Sequence, residues 1–377
     1  MHRWENDVDT EELVARVHPK FRPVWEGRTP AARAALAHYF LPHGSRKPVL
    51  EPTRPRIIKW YCPFAPQCTF PSGHRYCLNV YTGCTHACAY CYAQAYEPDH
   101  AAPKRDFAKL LEKDLADLER FDVPPAPLHL SNSTDPFQPL EARTGHTRLA
   151  LAQVLRHRHR FTTVTILTKN PLLPVESDYL DLLAALGRLP RDHAWHDEFS
   201  RSGQPGLVVE VSLAFWREGA AAQYDPGAPT VADRIAGLWA LHAAGIPLVL
   251  RIDPLFPRSP LPTQPSSSVA DFGVPEPQTL DDLGQLVTLA QELHVRHVVY
   301  STAKIVQPRG RQLAPTMQAW RTVYEACAQP ARPTFRGGSW RLPDHVARDQ
   351  VVAPFLAICA RHGVAAKYCK RNLIETP

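Results

Sequence analysis

No apolar run in the chain approaches the length needed to cross a bilayer, and the charged start from Met1 to Asp9 has no signal-peptide core. The expectation is a cytoplasmic protein with no membrane partner. No internal repeat or heptad pattern is present from which an oligomeric state would follow. The nine cysteines are an odd number in a chain without a secretory signal, so a disulfide framework is disfavoured and metal or redox roles gain weight. Glycine is sparse at 18 residues, but proline is not: 38 prolines imply many ordered turns and long loops between short elements. At 377 residues the chain is long enough for one large α/β domain plus additions. The net charge of +6 and pI near 8.8 are mildly basic, which suits a nucleic-acid partner and equally a basic soluble surface.

The most informative stretch runs from Asn79 to Ala93, where Cys84, Cys88 and Cys91 follow the spacing Cys-x3-Cys-x2-Cys. Three thiolates this close in sequence can share one centre, and soft sulfur donors suit an iron–sulfur cluster or zinc. A structural zinc needs a fourth ligand. His86 lies inside the first spacer, where the short loop points it away. A 4Fe-4S cluster held by three cysteines instead leaves one iron open to bind a small molecule, so the motif reads as a reaction centre before it reads as a staple.

With Tyr90 just before the third cysteine, these residues resemble the cluster motif of the radical S-adenosylmethionine (SAM) superfamily. Tyr92 just after it, together with the stretch Ser131 to Glu141 (Ser-Asn-Ser-Thr-Asp-Pro-Phe-Gln-Pro-Leu-Glu) and the following Thr147-Arg148, is similar to the branch containing spore photoproduct lyase and its lyase-like relatives. The resemblance implies a 4Fe-4S cluster whose open iron binds SAM, and reductive cleavage of SAM to a 5′-deoxyadenosyl radical that abstracts a substrate hydrogen. It also implies an electron-donating partner such as flavodoxin or ferredoxin, and it makes Tyr90 part of the cofactor site. One departure matters. In the lyase a cysteine three residues before the motif aspartate returns a hydrogen atom to the repaired thymine, and here that position is Asn132. Tyr90 and Tyr92, which flank the third cysteine and belong to the lyase's radical relay, are kept. Shared initiation with a different completion, on another substrate, is the reading; the chain is not an authentic spore photoproduct lyase.

From Met1 to about Tyr76 there is no strong β/α rhythm, and residues 1–77 read as an N-terminal extension with a cysteine-rich end. Beyond it the pattern alternates. Predicted strands are Leu78 to Tyr81, Leu128 to Ser131, Thr162 to Thr168, Leu207 to Ala214, Pro247 to Ile252 and His297 to Ser301. Predicted helices run from Pro103 to Arg120, Thr147 to Arg158, Glu176 to Leu186, Val231 to Ala244 and Leu280 to Leu293. The class is therefore α/β. Six strands with crossover helices suit the partial (β/α)6 TIM-type barrel implied by the resemblance over residues 78–305, while the pattern alone equally allows a doubly wound sheet. Residues 306–377 read as a C-terminal helical extension or lid, and the proline- and serine-rich stretch after Pro254 as a surface insertion.

In either architecture, residues at the carboxyl ends of parallel strands face the ligand. Asp135 stands after the second predicted strand and is read as a cofactor-binding residue, able to accept hydrogen bonds from a cationic amine or a ribose; an Asx turn pinned by Pro136 is the alternative. Lys169 ends the third strand and matches the family position that contacts the SAM carboxylate; Ser212 on the fourth matches its SAM-contacting serine. Glu210 shares a face with Ser212, and Arg251 on the fifth strand is its expected partner, in substrate contact or as an interior salt bridge. Cys62, Cys68 and Cys77, with Cys369 or His74 as a fourth ligand, offer a second cluster or a zinc site, though ordinary reduced cysteines account for them too. Basic runs at Arg156 to Arg160, Arg309 to Arg311, Arg336 to Arg341 and Lys367 to Arg371, with Trp340, make up a candidate nucleic-acid surface. Three functions follow. The first is a lyase-like radical SAM enzyme on a nucleic-acid-related substrate; the second is radical SAM modification of a peptide or small molecule with an auxiliary cluster; the third is a zinc-stabilised nucleic-acid-binding protein.

Overall fold

In the computed structural model, the description covers residues 56–59, 76–98, 100–120, 125–257, 268–327, 334–336 and 339–369. Cys62, Cys68, His74 and most of the N-terminal extension lie outside the described residues, as does 258–267 of the expected insertion. A single eight-stranded sheet organises the rest. Its strands, in chain order and in spatial order alike, are β1 (Ile58–Lys59), β2 (Tyr76–Leu78), β3 (Ala126–Leu130), β4 (Phe161–Thr168), β5 (Leu207–Ser212), β6 (Leu248–Leu255), β7 (Val298–Thr302) and β8 (Ala366–Tyr368). Only β1 is antiparallel; β2 through β8 run parallel.

The six predicted strands are therefore all present as β2 to β7, and their order separates the two architectures left open by the pattern. A doubly wound sheet reverses direction at a switch point. Here each strand pairs with the next in sequence, as in a singly wound (β/α) unit. The first predicted strand is displaced. Val80 and Tyr81 are buried and read as its continuation, but the chain leaves the sheet after Leu78, and Tyr81–Thr82 pairs instead with Ala102–Pro103. That two-residue ladder ties together the ends of the loop holding Cys84, Cys88 and Cys91. At the C-terminus, β8 adds a seventh parallel strand beside β7. Three residues, Ala-Lys-Tyr, carry no readable alternation.

The crossover helices are α1 (Phe107–Arg120), α2 (His146–Arg156), α3 (Leu180–Gly187), α4 (Glu218–Tyr224), α5 (Val231–Ala243) and α6 (Leu280–Glu292), followed by α7 (Pro315–Cys327) and α8 (Ala353–Arg361). In α1, Phe107, Leu111, Leu115 and Leu118 form the buried stripe at helical spacing. The buried Asp114 on the same helix accepts from the backbone N–H groups of Ile57 and Ile58, which anchors β1 at the edge of the sheet. Thr230 caps α5, and Thr279 with Asp282 closes a capping box on α6.

Period-two alternation divides the sheet into two faces. Leu207, Val209 and Val211 of β5 belong to the main core, packed with the helices, whereas Val208 joins Val249 and Val299 in a separate cluster on the opposite face. By the same alternation Glu210, Ser212, Arg251, Asp253 and Ser301 share that second face. Both faces are thus covered or filled, and every residue of β5 is buried.

One buried histidine makes the fold sensitive to acid. The His193 Nε2–H faces the Phe161 carbonyl at 3.1 Å, while Nδ1 accepts from the Trp195 N–H at 3.0 Å, so only the neutral ring satisfies both. Burial, with the charge of Arg158 adding to it, pushes its pKa from 6.5 down to about 4. The unfolded chain takes up this proton near the ordinary value and the folded chain only near the lower one. The contribution is complete above the unfolded pKa and is lost as pH falls through the window between the two values. Thermal melts across this window are expected to show a loss on the order of 1–3 kcal/mol that a His193→Gln variant lacks; equal pH slopes in the two proteins would contradict the assignment.

Candidate active site

Because β2 to β5 are parallel, the segments leaving their carboxyl ends meet on one rim: the cysteine loop after β2, Ser131 to Asp135 after β3, Lys169 after β4, and Ser212 at the end of β5. The cysteine loop is fastened from within and from below. The Cys91 N–H donates to the Cys88 carbonyl (3.1 Å), and the Gln94 amide donates to the same oxygen (2.7 Å). Ala89 N–H reaches the Tyr224 carbonyl (2.8 Å), and Gly227 N–H reaches the His86 carbonyl (3.0 Å). Gly227 has to be glycine, since a Cβ there would fall on the Thr85 carbonyl oxygen. At the loop entrance Gly83, at φ +68°, combines a left-handed backbone with contact against the His100 carbonyl.

The three cysteine sulfurs lie close enough to raise one another's pKa. Burial pushes the Cys84 thiol up to about 12, with Asp135 adding to the rise, and burial also raises Cys88 and Cys91. Opposing this are groups that favour thiolate. Backbone N–H groups of His86 and Asp135 face the Cys84 sulfur, those of Ala93 and Gln94 face Cys91, and the Lys169 charge acts on Cys88 and Cys91. Buried thiols supplied with N–H donors and a nearby cation are the donor set that an iron–sulfur cluster uses, and metal binding is what removes their protons. The residues present therefore fit such a cluster. Among the described residues, no three His, Cys, Asp or Glu side chains gather closely enough to hold a single metal ion.

Beside the loop stands a compact polar network. Lys169 Nζ lies 2.7 Å from the Tyr90 hydroxyl, 3.1 Å from Ser212 Oγ and 3.2 Å from Asp225 Oδ2. Tyr90 in turn donates to Asp225 Oδ1 at 2.6 Å, and Arg234 pairs with Oδ2 at 3.1 Å. Three residues singled out by the sequence, Tyr90, Lys169 and Ser212, thus converge from three separate strand ends. Asp225 and Arg234 were not among them. Burial would raise the Asp225 carboxyl, but Lys169 and Arg234 outweigh it and hold the pKa at about 2.

Asp135 forms the Asx turn that is its alternative reading. All of its acceptor capacity is taken up inside the protein: Phe137 N–H (2.9 Å) and Thr168 Oγ1 (2.8 Å) on Oδ1, Lys169 N–H (2.6 Å) and His86 Nε2 (3.0 Å) on Oδ2. It is a buttress that locks the cysteine loop to the end of β4, with Lys169 as the residue so placed. His86 is turned from the cysteines, its Nδ1 resting on the Gly227 carbonyl at 3.0 Å. Glu141 does not meet the Arg148 guanidinium. Its carboxylate takes the hydroxyls of Tyr81 and Tyr179 and the backbone N–H groups of Thr147 and Arg148, while the guanidinium goes to the carbonyls of Ser177 and Asp178.

On the second face of the sheet, Arg251 bridges Glu210 and Asp253, each at 2.7 Å, and Ser301 donates to Asp253. The Arg251 guanidinium also reaches the Cys369 sulfur at 2.9 Å, and the Asn132 amide reaches the Cys77 sulfur at 2.8 Å. A second cluster or zinc on these two cysteines has no support among the described residues, where no further His, Cys, Asp or Glu side chains gather with them to hold a metal. Tyr92 donates to the Asn132 carbonyl, and Tyr96 lies 3.0 Å from Ser133 Oγ. The rings of Tyr92 and Tyr96 are 6.2 Å apart and 40% and 46% exposed.

The basic run at Arg156 to Arg160 is largely consumed by the fold. Buried Arg158 binds the carbonyls of Leu186, Phe161, Thr162 and Gly206, and Glu119 collects His157, His159 and Arg160. Trp340 carries the Arg321 guanidinium 4.7 Å above its ring.

No protein-family model matches the sequence. Among curated proteins, the chain is 28% identical over 192 residues to an uncharacterized protein of Mycobacterium bovis and, to the same extent, to one of Mycobacterium tuberculosis, with 49% of this chain and 50% of each relative covered. The chain thus spans about half the length of the curated relatives it matches. Among solved structures it is similar to a spore photoproduct lyase mutant with bound AdoMet and dinucleoside spore photoproduct (13% identity, 81% of this chain and 78% of the other, TM-score 0.47). It is also similar to the radical S-adenosylmethionine methyltransferase TsrM of Kitasatospora setae with tryptophan and a SAM analogue (15% identity, 61% and 36% covered, TM-score 0.40).

Proposed function

We propose that this chain is a radical SAM enzyme in which Cys84, Cys88 and Cys91 hold a 4Fe-4S cluster and Lys169, Ser212 and Tyr90 frame the SAM site. The observation that carries this reading is the meeting of the Cys-x3-Cys-x2-Cys loop with the Lys169–Ser212–Tyr90 network on the carboxyl rim of a sequentially ordered parallel sheet. When bound, the cluster and SAM supply a 5′-deoxyadenosyl radical that abstracts a substrate hydrogen, after an electron arrives from a donor such as flavodoxin or ferredoxin. The chain's own part is positional. Lys169 and Ser212 offer donors to a carboxylate, Tyr90 fixes the lysine head group, and Asp135 fixes its backbone. On the second face of the sheet the Glu210–Arg251–Asp253 network presents fixed charges to the substrate, and Tyr92 and Tyr96 offer exposed aromatic faces beside the cysteine loop.

A nucleic-acid-related substrate is the reading those two tyrosines favour, because every base has a π-face on which they can stack. Asn132 in place of a thiol separates the completion of the reaction from the lyase's, and the nearest sulfur to it is that of Cys77 on β2. Two assays test the reading. Anaerobically reconstituted and reduced protein is expected to convert SAM to 5′-deoxyadenosine; colourless, iron-free protein that leaves SAM intact would sink it. With deuterated oligonucleotides, deuterium is expected in the 5′-deoxyadenosine. Its absence there, together with transfer from a deuterated peptide, would move the substrate to another class.

A further inference from the structure

Asp225 follows α4 with a side chain wholly removed from solvent, and its contacts join two halves of the site that the sequence presents separately. Oδ1 accepts from the Tyr90 hydroxyl at 2.6 Å, Oδ2 from Lys169 Nζ at 3.2 Å and from Arg234 at 3.1 Å. The Cys88 sulfur and this carboxylate are near enough for the charge of each to act on the other. Arg234 is as buried as Asp225, with 1% of its side chain exposed, and it is held further by the carbonyls of Pro229 and Ser212. One anion therefore balances two cations in a space closed to water, directly against a cysteine of the metal-binding loop.

We propose that Asp225 is a positioning residue that couples Cys88 to Lys169: it holds the lysine ammonium at Ser212 and the Tyr90 hydroxyl, and it sets a fixed negative charge beside the Cys88 sulfur. This rests on the radical SAM reading of the site. Once Cys88 gives up its proton to become a ligand, the carboxylate faces a thiolate, and Lys169 and Arg234 are the two charges that balance that pair. A fixed anion beside a ligand sulfur opposes the arrival of an electron, so Asp225 lowers the reduction potential of whatever centre Cys88 binds. Replacing it with asparagine keeps the shape, removes that anion and leaves two buried cations uncompensated; both changes raise the potential. The same replacement frees Lys169 to leave its place at Ser212. Residues that orient a ligand in this way are worth about 10–100-fold when removed.

The test compares wild type with Asp225→Asn and Asp225→Glu, each reconstituted anaerobically. Redox titration followed by electron paramagnetic resonance reads the potential, and equilibrium dialysis of SAM reads affinity. Asp225→Asn is expected to shift the midpoint to a more positive value and to weaken SAM binding about 10–100-fold, and Asp225→Glu to restore the potential while leaving affinity reduced. A wild-type midpoint and affinity in cluster-loaded Asp225→Asn would overturn the proposal. If that variant takes up no cluster, Asp225→Glu decides alone, since wild-type SAM affinity with the carboxylate displaced by one methylene would equally overturn it. Wild-type protein that takes up no cluster would instead sink the reading of the whole site.

Discussion

Replacing Cys88 with alanine is expected to abolish iron uptake and, with it, the cleavage of SAM. Of the three cysteines, Cys88 is the one buried from solvent, the charges of Cys84 and Cys91 both act on its sulfur, and it stands within electrostatic reach of the Asp225 carboxylate. A cluster that has lost this ligand keeps two cysteines, because the loop's histidine, His86, is turned away onto Asp135 and the Gly227 carbonyl. The competing account makes Cys88 a small buried hydrophobe. Truncating the thiol would then cost on the order of 1 kcal/mol of stability and nothing else. Iron and sulfide content, visible absorbance and 5′-deoxyadenosine formation separate the two, with Cys359→Ala as the control: that buried cysteine packs in the main core, and its loss is expected to leave all three readouts unchanged.

Lys169→Ala should leave the cluster in place and remove the means of holding SAM. The head group is 13% exposed and is already fixed by Tyr90, Ser212 and Asp225, so an arriving carboxylate meets a pre-placed ammonium with little further ordering to do. A charge-assisted hydrogen bond in such a place is worth about 1.5–3 kcal/mol, and with the reorganisation of Asp225 the expected loss of SAM affinity is about 100-fold. Lys169→Arg is not expected to rescue it. A planar guanidinium fork does not fit where three acceptors surround a point charge. Unchanged SAM affinity in Lys169→Ala, measured on cluster-loaded protein, would mean that the lysine only closes an internal ion pair with Asp225.

What could be read in the sequence, and what could not, follows from how local each signal is. β4 and β5 are runs rich in β-branched residues bounded by turns, and their existence required nothing from elsewhere in the chain, whereas their order in the sheet did. The convergence of Tyr90, Lys169 and Ser212 was legible because parallel strands present their carboxyl ends on one rim. Asp225 was not, because it stands after a short Ala-rich helix with no motif around it, and its importance lies wholly in side chains that arrive from residues 90, 169 and 234. Asp114 escaped notice for the same reason: on a helical wheel it interrupts an apolar stripe, and only the arrival of β1 explains it. Asp135 and Arg158 mark the opposite limit. Each carries a formal charge that in sequence looks available to a ligand or a phosphate, and each is used up by neighbouring backbone groups that no pattern of residue types reveals.

The central claim is that the loop of Cys84, Cys88 and Cys91 carries a cluster with one iron open to SAM. Electron paramagnetic resonance of the anaerobically reconstituted, reduced protein, recorded with and without SAM, tests it most directly. The prediction is a 4Fe-4S signal whose shape changes when SAM is added and does not change in Lys169→Ala at the same SAM concentration. A protein without such a signal, or a signal that SAM leaves unaltered in the wild type, would contradict it.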